Sequence, residues 1–120
     1  MPSQTPEALV QELQSMIEES SNPVALLDPE GRILLCNLGM QRLLELERQD
    51  ILGRHCFEVM HGLLDHIEGC PFKRMVKSLQ RESEIFSIGG RRYDVVTEPV
   101  LGDDGELQAG IHIMAEAAER

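Results

Sequence analysis

The chain changes its apolar period at Glu84, and its fold has to accommodate both halves. Downstream, Ile85 to Ile88, Tyr93 to Leu101 and Glu106 to Met114 read as strands, separated by Gly89-Gly90 and by Gly102-Asp103-Asp104-Gly105. Both joints carry turn chemistry, because glycine reaches positive φ at little cost and aspartate bonds its own backbone. Upstream, Leu9, Val10, Leu13, Met16 and Ile17 recur at helical spacing as one stripe. The stripe is entered through Thr5-Pro6-Glu7: a hydroxyl N-cap, a proline in the first turn and an acid that the helix dipole favours. It requires a cover, either the domain's own core or the same helix of a second copy.

Ser20-Ser21-Asn22-Pro23 ends that helix, and VALLD-PEG-RILLC then reads as a hairpin, with proline and glycine supplying the turn between Val24–Asp28 and Arg32–Cys36. Asn37 caps a helix carrying Met40, Leu43 and Leu44. A further short helix is expected to start near Asp50 or Cys56, and Pro71 opens another through Phe72, Met75, Val76 and Leu79. Strands kept apart from helices argue for an antiparallel sheet in an α+β domain, with the short helices on one face.

A chain of 120 residues is one domain with enough core to fold without disulfides or metal. Eleven basic residues against 21 acidic ones give a net charge of −10, which argues against binding nucleic acid or an anionic membrane surface. Without tryptophan and with one tyrosine, there is no stacking platform for single strands. No signal peptide or membrane span is legible, so a cytoplasmic location with reduced thiols is expected, Cys36 being core. There is no P-loop, G-x-G-x-x-G or G-x-S-x-G.

Between Arg54 and Pro71 lie two of the three cysteines and three of the four histidines. Cys56, His61, His66 and Cys70 form a candidate C-x4-H-x4-H-x3-C ligand set for zinc or another transition metal, thiolate and imidazole being the donors such ions take. On one continuous helix Cys56 and His61 would stand roughly 140° apart, so joint ligation requires the helix to stop at His61, and Gly62 is a residue that stops helices. The plainer alternative makes Cys56 a buried apolar group, His61 a helix-end cation and His66 a solvated loop residue. A Cys56–Cys70 disulfide would need an oxidising compartment. A Cys/His enzyme, with Cys56 or Cys70 as nucleophile and His61 or His66 as base, lacks a local catalytic signature.

The order of elements, with the residues at its joints, resembles the PAS domain, a sensory module of bacterial signalling proteins. The carriers are NPVALLDPEGRILLCN for the hairpin and helix cap, ELERQDILGRHCFEV for the middle helices and GRRYDVVTEPVLGDDGELQAGIHI for the last strands, from about Asn22 to Met114. Ile51-Leu52-Gly53-Arg54 looks like the family's I-G-K type joint. Some PAS domains also carry a cysteine, a His-Gly and a Cys-Pro between the middle helices, matched here by Cys56, His61-Gly62 and Cys70-Pro71. Two departures stand out: Met114-Ala115-Glu116 replaces the Asp-Ile-Thr type triplet that couples the last strand to an output helix, and residues 72–82 lack the helix histidine of haem-binding members. The flavin-photosensing members hold their cysteine in an Asn-Cys-Arg-Phe-Leu-Gln type motif, whereas Cys56 stands between His55 and Phe57. Neither haem nor flavin is expected.

The resemblance implies a five-stranded antiparallel sheet at residues 22–115, flanked by an amphipathic helix at 1–21 and the start of a linker at 116–120. It implies an input module, not itself an enzyme, for a histidine kinase or similar regulator in a two-component system, paired as a homodimer through the N-terminal helix and sheet. A ligand or protein partner would bias an output domain, with no nucleic-acid or membrane contact. A cavity between sheet and short helices would draw on Leu26, Leu35, Leu43, Leu44 and Phe57 from the first half. From the second half it would draw on Met60, Met75, Phe86, Val96 and Ile113. The same apolar residues are also what any core needs.

Overall fold

The computed structural model describes residues 6–55, 71–88 and 91–116. The elements run α1 (Pro6–Glu19), β1 (Val24–Leu27), β2 (Ile33–Cys36), α2 (Leu38–Leu44), α3 (Arg48–Ile51), α4 (Pro71–Ser78), β3 (Glu82–Ile88), β4 (Arg91–Leu101) and β5 (Leu107–Glu116). All strand pairs are antiparallel, in the spatial order β2-β1-β5-β4-β3, so the last strand made lies in the middle of the sheet.

The first hairpin closes as its sequence requires. Gly31 takes φ +92, and the Asp28 carboxylate accepts from the backbone N–H of Glu30 and of Arg32, each at 2.9 Å. The outer edge of β2 is then covered by the Ile51–Arg54 joint: Ile33 N–H donates to the Arg54 carbonyl at 2.9 Å and Gly53 N–H to the Ile33 carbonyl at 2.8 Å. The edge is thereby satisfied at Ile33.

The β2-β1-β5 part of the sheet is buried on both faces, while Ile85 of β3 is left 49 % exposed. Ala25, Leu27, Ile33, Cys36, Phe86, Val95 and Met114 pack with Met40 and Leu44 of α2, Ile51 of α3 and Phe72 and Met75 of α4. On the opposite face Val24, Leu26, Leu35 and Ala109 pack against Leu9 and Ile17 of α1. The stripe of α1 therefore covers the chain's own sheet, while Met16 is left 55 % exposed. Burying two side chains the size of Leu9 and Ile17 contributes about 4 kcal/mol.

Three junctions meet at Asn37, which is 2 % exposed. Its Oδ1 accepts from the N–H of Met40, capping α2, at 2.9 Å, and from that of Val24 in β1 at 3.0 Å. Its Nδ2 donates to the carbonyls of Ile17 at 3.1 Å, Ser20 at 3.3 Å and Asn22 at 2.7 Å, holding the end of α1. At the other edge of the sheet Arg74 of α4 reaches Glu82, Glu84 and the carbonyl of Ser83, the last at 2.7 Å.

Candidate functional site

Strand register decides which side chains meet. Cys36, Ala25, His112, Thr97 and Glu82 are successive cross-strand partners, so they form one row running across all five strands. Because directly opposed residues share a face, the row looks toward α2 and α4, where Cys36 and Ala25 already pack. The neighbouring row holds Gly110, opposite Leu27 and Pro99. A Cβ at Gly110 would come within 2.7 Å of Met75 Cε and 3.0 Å of Phe72 Cε1, so α4 is seated directly on this glycine.

Two members of the row are polar, enclosed and unpartnered. Thr97 is 0 % and His112 4 % exposed. Among the described residues, Thr97 Oγ1 and both ring nitrogens of His112 find no hydrogen-bond partner. Burial alone drives the His112 pKa from its ordinary 6.5 down to about 4, so the ring is neutral and presents one donor and one acceptor nitrogen. Burial likewise raises the Cys36 thiol, against the opposing charge of Arg48. Ala25 separates Cys36 from His112, placing them two strand spacings or about 10 Å apart, too far for a thiol–imidazole pair. At the end of the row the Glu82 carboxyl is lowered, first by the hydrogen bond from Ser78 and then by Arg74.

The sequence candidates divide between the two faces. Leu43, Leu44, Met75 and Phe86 gather on the side of the short helices. Leu26, Leu35 and Ile113 belong to the cluster under α1, and Val96 stands opposite Ile113 on that same side. One cavity beneath the short helices cannot use both sets, because alternate residues of a strand point to opposite faces. Phe57, Met60 and the ligand set Cys56, His61, His66 and Cys70 lie outside the described residues. Among the described residues no group of three or more His, Cys, Asp and Glu is placed to hold a metal. A shallow groove of about 340 Å³ lined by Glu7, Val10, Gln11 and Leu34 lies beside α1, on the far side of the sheet from the polar row.

The family model for the PAS fold matches residues 11–114. The chain belongs to the PAS family. Solved structures agree with that placement. The PAS domain of BvgS from Bordetella pertussis is 23 % identical with a TM-score of 0.70, covering 93 % of this chain and 88 % of that one. The PAS domain of nitrogen regulation protein NR(II) from Vibrio parahaemolyticus is 15 % identical at 0.61, over 86 % and 95 %. The LOV protein of Rhodobacter sphaeroides is 15 % identical at 0.71, over 93 % and 69 %. At these identities the likeness is one of fold. No curated protein sequence matches the chain.

Within this PAS domain, Thr97 and His112 are residues the sequence reading passed over. The sequence carried no signal for them: along β5 His112 stands between Ile111 and Ile113, and alternation by itself would turn the imidazole toward solvent.

Proposed function

We propose that the chain is the sensory input module of a bacterial signalling protein, a histidine kinase or a similar regulator. A small ligand held against the helical face of the sheet would shift a conformational equilibrium that an output domain reads. One observation carries this beyond family membership: the sheet row beneath the short helices includes buried polar atoms that the core itself leaves unpaired. A domain serving only as a scaffold would be expected to fill those positions with apolar side chains.

The module is also read as a homodimer. Helix α1 spends Leu9 and Ile17 on its own sheet and turns Met16 outward, which suits a second copy lying alongside. Native mass spectrometry of the chain produced in bacterial cytoplasm, followed by acid release, tests both parts. A small-molecule mass excess is expected, together with a dimer that Met16→Glu weakens at least about tenfold, the equivalent of 1.4 kcal/mol. A bare monomer would remove both parts, and a bare dimer would leave only the association role.

A further inference from the structure

Thr97 and His112 sit opposite each other on neighbouring strands, so their Cβ atoms are about 5 Å apart. A buried donor or acceptor without a partner is costly, and native proteins hold few of them. Among the described residues four such atoms are found; three fall on these two facing residues, and the fourth, Gln108 Nε2, lies farther along β5. Most of their neighbours on the face are apolar or small: Ala25 beside His112, Val95 and Met114 in the row beyond, and Gly110 under Met75 on the other side; the exception is Glu82, opposite Thr97, whose carboxylate is held by Ser78 and Arg74. Apolar walls around a few convergent polar atoms are the composition of a small-molecule site.

We infer that Thr97 and His112 anchor the polar end of a small uncharged ligand that carries a hydrogen-bond donor next to an acceptor, a primary amide or a lactam being the simplest such group. The inference rests on the input-module reading and specifies its ligand. A neutral imidazole offers one donor and one acceptor, and the threonine hydroxyl offers both, so the pair complements a group with the same mixture. An anion is disfavoured. The charged side chains on inward positions of β3 are the carboxylates of Glu82 and Glu84, and Arg74 from α4 is engaged with both. On the β2 side the charge of Arg48 acts at Cys36, two strands away from His112. An alkyl group would leave all three atoms unpaired.

The test uses the folded chain with ¹⁵N-labelled histidine and four probes: benzamide, the smaller acetamide, benzoate and toluene. At least one amide is expected to shift the His112 ring ¹⁵N signals and to bind about tenfold more tightly than benzoate or toluene, the discrimination one or two hydrogen bonds supply. His112→Phe and Thr97→Val should each weaken the amide about tenfold while leaving toluene within about twofold. His112→Gln, which keeps a donor and an acceptor, should retain most of the amide affinity and serves if the Phe variant does not fold. Equal binding of amide and toluene, or variants that do not discriminate, would overturn the anchor. Preference for benzoate would overturn the ligand class. An unresponsive His112 signal with every probe would reduce the pair to an enclosed water site and end the proposal. None of these outcomes bears on the Met16-dependent dimer, so failure here is separable from failure of the input-module reading.

Discussion

His112 links the chemistry of the sheet to acid sensitivity. Its neutral form is favoured in the folded chain, with a pKa of about 4 against 6.5 when the ring meets water. Between those values the unfolded chain binds the proton and the folded one does not, so stability is full above pH 6.5 and is lost as pH falls toward 4. About 2 kcal/mol should disappear between pH 7 and pH 5. Urea unfolding at the two pH values checks this, and His112→Phe, which has no proton to bind, should lose correspondingly less; equal losses would show that carboxylates account for the whole effect. Asn37 sets a second residue-scale expectation. Asn37→Ala removes one helix cap and strands backbone groups of α1 and β1, which should cost about 3 kcal/mol in the same assay. From the sequence Asn37 was legible as a cap of α2. Its three carbonyl partners were not, because they lie 15 to 20 residues upstream and meet it only in the fold.

At the scale of elements, the helices end in a way their sequences do not advertise. Leu79, following α4, takes φ 58 and donates its N–H to the Met75 carbonyl at 2.7 Å, a left-handed closure that glycine makes without a Cβ penalty. Leu79→Gly should therefore raise stability by about 1 kcal/mol, the relieved strain outweighing glycine's extra chain entropy. A lower melting temperature would mean that the partly exposed leucine contributes more by packing than its backbone costs. Element boundaries were legible where glycine or proline marks them, as at Gly31 and Pro71. They were not where a partner sets them. β3 begins at Glu82, ahead of the apolar Ile85, because Arg74 holds Glu82 and Glu84 against the sheet edge. α3 begins at Arg48, and its joint is fixed by bonds to Ile33. The faces of β1 were illegible for another reason. Val24, Ala25, Leu26 and Leu27 are all buried, so no polar alternation shows which of them look toward the short helices.

For the whole molecule, the decisive arrangement is a sheet covered twice, by α2 to α4 on one face and by α1 on the other. Removing residues 1–21 strips the cover from Leu26, Leu35 and Ala109 and leaves an apolar patch. The truncated chain should lose at least about 4 kcal/mol, bind a hydrophobic dye and scatter light at concentrations where the intact chain stays clear. A truncated chain that remains monodisperse and equally stable would show that α1 is an appendage. The α+β class, the hairpin and the three last strands were readable because turn residues and period are local signals. The polar row was not, because it draws one residue from each of five strands and exists only once register is set.

The position of β5 also governs how the molecule comes into being. β1 and β2 leave the ribosome early and β3 and β4 later, yet the two hairpins share no strand pairing; each is joined into the sheet through β5, the strand synthesised after them. Until Leu107 to Glu116 has emerged, the nascent chain holds two half-sheets with open edges and an uncovered α1 stripe, and the most distant pairing to be made, Val24 with Ile113, spans most of its length. Assembly is thus a late closure of high contact order, and a slow one. A stop codon or cleavage before β5 would leave two loose hairpins for the cell's proteases, whereas the same loss at α1 would leave a sheet.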